Sequence, residues 1–154
     1  MAKKQPPTCP VCDAGTLKAH RYSDEFEYRG RTLKVDDLEC WLCPACSADP
    51  IFPDQARRNH ARYQDARRKS CGLLTGDEIA AIRKQLALTQ SQAALIFGGG
   101  SNAFSKYERG DVIQSVAMDR LLRLASQNRA TFEELKQLAT NGEQRARPAS
   151  PVHG

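Results

Sequence analysis

The spacing of hydrophobic positions changes about halfway along the chain. Before residue 53, the segment FEYRGRTLKVDDLECWL alternates apolar and polar side chains around the turn signal Arg29-Gly30, which predicts two or three short antiparallel strands. From residue 75 onward, apolar side chains recur three or four positions apart, as on one face of a helix. The change predicts two small domains. The first is mainly β (α+β) and the second is an all-α domain of five helices.

Polar start signals divide the second half into those five helices. Ser or Thr followed three residues later by Glu or Gln forms a capping box, and the pairs are Thr75/Glu78, Thr89/Gln92 and Thr131/Glu134. Ser101 is the predicted cap of the third helix, residues 102 to 109, which Gly110 ends, and Ser115 is the predicted cap of the fourth. The fifth helix is predicted to run to about Ala139. A tight turn between the second and third helices is typical of helix-turn-helix repressors.

Composition sets the outer boundaries. We predict a zinc-binding domain over residues 1–52, a helical basic connector over 53–74, a helix-turn-helix domain over 75–140 and a disordered tail over 141–154. The connector, DQARRNHARYQDARRK, has no glycine or proline and is predicted to be helical from Asp54 to Lys69. Its arginines indicate a solvated helix face, with contact to DNA phosphates as the alternative.

The charge balance is compatible with a nucleic-acid partner. The 154 residues carry a formal net charge of +5, and the sequence pI is near 9.0. Most of the excess lies in the connector, and lysine and arginine can replace condensed counterions on phosphates. No apolar run approaches the roughly 20 residues that span a bilayer, and the first residues lack a signal-peptide core. We therefore expect a cytoplasmic protein with no membrane partner.

The cysteines carry the strongest chemical signal. Cys9-Pro-Val-Cys12 and Cys43-Pro-Ala-Cys46 are matching knuckles, and two such pairs complete a tetrahedral sulfur shell for one zinc ion per chain. Four thiolates leave no open position for water or substrate, so the zinc is predicted to be structural and not catalytic. Cys40 remains an alternative to Cys43 as a ligand. Cys71 is predicted to be unliganded.

The segment FGGGSNAFSKYERG, residues 97 to 110, could cradle a phosphate or present a helix to DNA. It lacks both the lysine of a P-loop and the preceding strand of a dinucleotide fold, which favours DNA. Asn102 and Lys106 share one helix face and are the predicted base readers, with a phosphate contact as the alternative for Lys106. The predicted contacts to the DNA backbone are Gln90, Ser101, Ser105 and Tyr107.

Together, the CPxC knuckle pair and LTQSQAALIFGGGSNAFSKYERG resemble the MqsA (YgiT-type) antitoxins of bacterial toxin-antitoxin pairs, whose second domain is Xre-like. The resemblance covers roughly residues 8 to 138. It implies an N-terminal zinc domain that neutralises an mRNA-cleaving ribonuclease toxin. It also implies a C-terminal domain that dimerises and binds a palindromic operator to repress its own operon. Lys106 stands where the family pattern has arginine, which grips guanine with a planar fork.

These observations predict a DNA-binding antitoxin and autorepressor that is not an enzyme and has no catalytic residue. Two alternatives remain open at this point. One is a zinc-containing helix-turn-helix regulator with no toxin partner. The other is a thiol redox sensor that uses the CxxC pairs, which would contain reversible disulfides and no stoichiometric metal.

Overall fold

The structure is a computed structural model that describes residues 6–146, without the side chains of 142–146. The chain divides into two compact units, residues 1–71 and 72–154. Within the described range it forms two strands and six helices: β1 (Lys18–Tyr28), β2 (Arg31–Leu42), α1 (Pro53–Ser70), α2 (Gly76–Gln85), α3 (Gln90–Phe97), α4 (Ala103–Arg109), α5 (Val116–Gln127) and α6 (Arg129–Ala146). This confirms the predicted fold class, a small β domain followed by five helices. None of the helices in the described range is both long and apolar enough to cross a membrane.

The first unit is built on a long hairpin. β1 and β2 pair antiparallel from Lys18 opposite Leu42 to Tyr28 opposite Arg31. The turn residues Arg29 and Gly30 have φ of 52° and 72°, as a two-residue hairpin turn of the primed type requires. The register shifts between Tyr22 and Asp24, where β2 contains one extra residue. The hairpin is longer than predicted because β1 begins at Lys18, in a mostly polar stretch that lacks the alternation of apolar and polar side chains.

The helix α1 packs against β2 and belongs to the first unit, although the sequence indicated a connector. The Asn59 side chain accepts a hydrogen bond from the Glu39 amide at 2.8 Å and donates one to the Glu39 carbonyl at 2.9 Å. Arg58 and Arg62 both bind the Glu39 carboxylate. Tyr63 donates to Asp24 at 2.5 Å. The helix is thus fastened by polar side chains, which explains why its apolar pattern is weak.

Arginines of α1 also pack on aromatic rings of the hairpin. The guanidinium of Arg67 lies 5.2 Å from the ring centre of Phe26 and 5.7 Å from that of Tyr28, and Arg68 is fully buried with an ion pair to Asp65. A guanidinium over an aromatic face is attracted by the ring quadrupole. Much of the arginine-rich face, expected to be solvated, therefore lies against the hairpin.

The second unit consists of the five helices α2 to α6 around one apolar core. The Thr75 and Thr89 capping boxes and the Ser115 cap form as predicted. Phe104, Leu122 and Ile79 are fully buried at its centre. Asp119 is buried as well and accepts hydrogen bonds from the Leu74 amide and from Gln114. The residues before α2 are thus held onto α5.

Three predictions about helix ends are wrong. Asn128, not Thr131, caps the last helix, because its side chain accepts from the amides of Ala130 and Thr131. That helix continues past Ala139 to Ala146, so residues 141 to 146 of the expected tail are helical. Residues 147–154 lie outside the described range. The third wrong prediction is the Ser101 cap at the start of α4, which is described below with the glycine turn.

Candidate functional site

The four predicted ligand cysteines lie together at one end of the hairpin. The sulfur atoms of Cys9, Cys12, Cys43 and Cys46 all lie within 4.8 Å of one another. The Cys9–Cys46 and Cys12–Cys43 Sγ distances are both 3.7 Å. A tetrahedral ion with metal–sulfur bonds of about 2.3 Å separates its ligands by about 3.8 Å. The cluster therefore has the dimensions of a four-thiolate metal site.

The two knuckles have the same backbone shape. In each, the residue after the second cysteine donates its amide to the carbonyl of the first: Asp13 to Cys9 at 3.0 Å, and Ser47 to Cys43 at 2.9 Å. Asp13 and Ser47 both take a left-handed conformation, with φ of 54° and 61°. This turn brings the two sulfurs of each knuckle to the same side. Matching turns explain why two short CPxC motifs build one site.

The cluster is half buried, and its members differ in exposure. Cys9 and Cys43 are buried against Leu17, with Trp41 and Phe52 packed around them. Cys12 is partly exposed and Cys46 is exposed. Gly15 lies so close to Cys43 that a Cβ built there would lie 2.4 Å from its sulfur. The small residue is therefore part of the wall of the site.

The surroundings of Cys43 and Cys46 shift their pKa values in opposite directions. Hydrogen bonds from the backbone amides of Cys46 and Ala45 lower the pKa of Cys43 to about 7. Cys46 accepts a hydrogen bond from the amide of Ala48, but burial and the neighbouring cluster sulfurs raise its pKa to about 12. Crowded sulfurs resist a second negative charge, and a bound dication removes that resistance.

The remaining cysteines lie outside this cluster. Cys40 is a buried β2 residue beside Trp41, and burial raises its pKa with help from the charge of Asp49. The structure thus brings Cys43, and not Cys40, to the other three sulfurs. Cys71 is exposed after α1, where the Arg29 guanidinium lies 3.6 Å from its sulfur.

The second candidate site is the turn between α3 and α4. Gly98, Gly99 and Gly100 all have positive φ, of 84°, 97° and 87°. A Cβ on Gly99 would lie 2.9 Å from the Cβ of Ala103 and 3.4 Å from the Tyr107 hydroxyl. The turn therefore needs glycine at this position for backbone freedom and for close packing.

The start of α4 differs from the prediction. The helix begins at Ala103 and Asn102 occupies the cap position, while Ser101 lies in the turn and does not cap. The Ala103 amide instead bonds to the Gly100 carbonyl at 3.0 Å. Because the glycines let the backbone close this turn, a serine side chain is not needed to begin the helix. Gly110 ends it in the left-handed conformation, as predicted.

The side chains predicted to contact DNA differ in exposure. Asn102, Lys106 and Ser101 are exposed, whereas Phe104 on the opposite face is fully buried. Ser105 is half-buried. Tyr107 is also half-buried, and its ring centre lies 5.9 Å from that of Phe104.

Gln90 is tied into a network that the sequence did not reveal. It donates to the Glu108 carboxylate at 2.9 Å, and Arg83 donates to the same carboxylate through two nitrogens. Arg83 also donates to the Leu88 carbonyl. The hydrogen bonds from Arg83 and Gln90 lower the Glu108 pKa against the opposing effect of burial. The network ties α2, α3 and α4 together. Arg83 and Glu108 are 25 residues apart, so no local signal could pair them.

Comparison with known proteins identifies the family of the chain. The family model described as "Antitoxin component of bacterial toxin-antitoxin system, MqsA" matches residues 7–136. The curated Antitoxin MqsA of Escherichia coli (strain K12) is 28% identical over 129 residues, covering 83% of this chain and 98% of that protein. The match spans the cysteine knuckles and the glycine turn. The chain belongs to the MqsA family of antitoxins, components of bacterial toxin-antitoxin systems.

Proposed function

We propose that the protein neutralises an mRNA-cleaving ribonuclease toxin through its zinc-containing first unit and represses its own operon by binding a palindromic operator through its second. It acts in the cytoplasm as a regulator and not as an enzyme. The observation that best supports the DNA-binding role is the two-sided character of α4. Asn102 and Lys106 are exposed, and Phe104 on the other side is fully buried.

The metal is proposed to be one structural zinc ion per chain, held by Cys9, Cys12, Cys43 and Cys46. Four sulfurs at tetrahedral spacing suit zinc, which has no geometric preference of its own and binds thiolates at structural sites. A bound ion would connect the two cysteine knuckles at one end of the hairpin. A unit of this size buries little apolar surface, so its folding should depend on the metal.

Metal analysis and unfolding can test this role together. One zinc per chain is expected, with no disulfide in the fresh protein. Trp41, the only tryptophan, lies in the first unit and packs beside the cluster, so its fluorescence reports that unit. Chelation should change the Trp41 signal while most of the helical circular dichroism remains. If the Trp41 spectrum is unchanged after complete zinc removal, the metal is not structural.

Base reading by α4 can be tested with single variants. Asn102→Ala should weaken operator binding by about 1–3 kcal/mol, the usual value of a bidentate base contact. Gln137→Ala is a matched control, because this exposed amide lies on a different helix, α6. Equal affinity of wild type and Asn102→Ala would exclude Asn102 as a reader.

Lys106 separates two roles by salt dependence. If it reads a base, Lys106→Ala should relax specificity at one operator position, and Lys106→Arg should keep it. If it holds a phosphate, Lys106→Ala should weaken all sequences alike and reduce the salt slope by about one. We propose the first role, so uniform weakening would refute it.

Dimerisation is proposed to occur through the second unit. Val116 and Leu124 on α5 are more than half exposed, and Val112 just before this helix is also exposed. Val116 and Leu124 are eight residues apart and share a helix face. Leu124→Glu should shift the protein to monomer in sedimentation, whereas Leu138→Glu on α6 serves as the control, because this leucine is even more exposed. A wild-type monomer with and without DNA would refute the dimer.

Toxin binding is the part of the proposed function that depends most on family membership. Co-expression with the neighbouring gene product, followed by pull-down through this chain, should recover a ribonuclease whose mRNA cleavage stops in the complex. Cys43→Ser should abolish capture while DNA binding remains, because only the first unit loses its metal. If no toxin is captured and operator repression persists, the protein is a stand-alone regulator.

A further inference from the structure

We propose that Cys46 is a modification site for peroxides and that Cys9 converts the oxidised Cys46 into a disulfide that opens the cluster. This inference rests on the proposed metal site. All four cysteines are proposed metal ligands, and this inference adds that Cys46 and Cys9 differ from the other two in their reaction with peroxide. The basis is the unequal shielding of the sulfurs together with the short distance between Cys9 and Cys46.

Cys9 and Cys43 are protected from reagents in solution. Their relative exposures are 0% and 1%. The Val11 amide donates a hydrogen bond to the Cys9 sulfur at 3.4 Å. The backbone at Gly15 covers Cys43. Neither sulfur can be approached by a peroxide without local opening.

Cys46 is accessible. The whole turn Pro44, Ala45, Cys46 and Ser47 is exposed, and the second cysteine of the other knuckle, Cys12, is only partly so. Oxidation of cysteine follows thiolate character and exposure, and a metal-held sulfur is a thiolate by definition. Among the four cluster sulfurs, Cys46 therefore combines both requirements best.

The oxidant is hydrogen peroxide. The Cys46 thiolate attacks one peroxide oxygen, the O–O bond breaks, and sulfenic acid and hydroxide result. The Cys9 sulfur, 3.7 Å from the Cys46 sulfur, then attacks the sulfenic sulfur, so that an S–S bond forms as the S–O bond breaks and a second hydroxide leaves. The two sulfurs lose two electrons in total, and the peroxide gains them. Because an S–S bond of about 2.05 Å requires the two sulfurs to approach, the exposed turn carrying Cys46 must move inward.

The disulfide leaves only Cys12 and Cys43 as thiolates, which are too few to hold a structural ion. Peroxide should therefore release zinc, and a thiol reductant followed by zinc should restore the site. Cys71 is exposed too, but it lies outside the cluster. The experiments accordingly use the full-length Cys71→Ser protein.

The test follows hydrogen peroxide treatment of the zinc-loaded Cys71→Ser protein by three measurements. A chromogenic chelator records zinc release, dimedone traps sulfenic acid, and non-reducing peptide mapping identifies the disulfide. We expect dimedone first on Cys46, a Cys9–Cys46 disulfide and parallel zinc release. Dimedone first on Cys12, or zinc release with all four thiols intact, would overturn the proposal. A disulfide from Cys46 to another cysteine would overturn the role of Cys9.

Two histidine variants provide matched controls, because three cysteines and one histidine also form structural zinc sites. Cys46→His should retain zinc and release it about tenfold more slowly under peroxide, since the accessible thiolate is gone. Cys12→His should retain zinc with wild-type sensitivity. Equal protection by both variants would overturn the assignment of Cys46. If a variant fails to bind zinc, the dimedone order in the Cys71→Ser protein decides.

Metal content before treatment separates this inference from the proposed function. Protein without zinc, although purified under reducing conditions with zinc supplied, would refute the metal site itself. Protein with one zinc per chain and an unmodified Cys46 would refute only the oxidation site.

Discussion

Gly99→Ala should destabilise the helical unit more than Gly100→Ala, although both glycines have positive φ. The φ values are 97° and 87°. A Cβ at Gly99 would lie 2.9 Å from the Cβ of Ala103, whereas a Cβ at Gly100 would meet no atom within 4 Å among the described residues. The two substitutions thus share a backbone penalty and differ in packing.

The size of each penalty follows from these distances. An L-residue in the left-handed region costs about 1–2 kcal/mol, which is the expectation for Gly100→Ala. At Gly99 the crowded methyl adds about 1–3 kcal/mol of overpacking, because the Ala103 methyl is buried and has no rotamer that moves it away. The total of roughly 2–5 kcal/mol is a large part of the 5–15 kcal/mol that stabilises an ordinary domain.

Two spectroscopic probes separate the units in one urea titration. Far-UV circular dichroism reports mainly the second unit, which contains five of the six described helices, and Trp41 fluorescence reports the first. Gly99→Ala should lower the dichroism midpoint and leave the Trp41 midpoint unchanged. Ala103→Gly in the Gly99→Ala background removes the second methyl and should recover the packing part of the loss. Equal midpoints for Gly99→Ala and Gly100→Ala would refute the packing argument.

Other variants test separate parts of the two units. Ser47→Gly removes the strain of a left-handed serine with φ of 61°. It should raise the stability of the zinc-loaded first unit by up to about 1 kcal/mol, measured by Trp41 fluorescence during unfolding. A loss of stability would show that the serine side chain is needed. Asn59→Ala removes both hydrogen bonds to the Glu39 backbone and should destabilise that unit by about 1–3 kcal/mol. Asn59→Asp, which keeps the acceptor oxygen, is the comparison. No loss of stability in Asn59→Ala would refute the role of Asn59 in holding α1 on β2. Burial opposes the charge on Asp119, but hydrogen bonds from Arg123, the Leu74 amide and Gln114 lower its pKa from the ordinary 3.8. The stabilisation from the Asp119 carboxylate is complete above about pH 4 and is lost as the pH falls through the lowered pKa. Asp119→Asn should therefore reduce the free energy of unfolding at pH 7 and make it depend less on pH in the acid range. An unchanged pH dependence in the acid range would contradict the assignment.

The features that the sequence predicted correctly depend on neighbouring residues. The Thr75 and Thr89 capping boxes, the Ser115 cap and the left-handed Gly110 each need only a few consecutive residues. The cysteine cluster was predictable for a related reason. Each CPxC knuckle sets its own sulfur geometry, and the hairpin has only to bring the two knuckles together.

Two wrong predictions arose where another local group satisfied the same backbone amides. Ser101 had the right residue type for a cap, but the Ala103 amide donates its hydrogen bond to the Gly100 carbonyl instead. Thr131 had the right spacing to Glu134, but Asn128 reaches the free amides three residues earlier. A capping signal shows that a side chain can cap a helix. The preceding backbone conformation decides which side chain does so.

The arginines of α1 show why segment charge did not locate a binding surface. The connector held most of the positive excess, which suggested either a solvated face or a phosphate contact. Arg58 and Arg62 bind Glu39, and Arg67 lies over Phe26. These guanidinium groups fasten a helix whose apolar positions are too few to bury it alone, because arginine can combine ion pairing with packing on rings. A guanidinium that is already paired within its own unit contributes less to counterion release on DNA. Exposed side chains such as Lys106 are therefore a better guide to the proposed DNA-binding surface than the net charge of a segment.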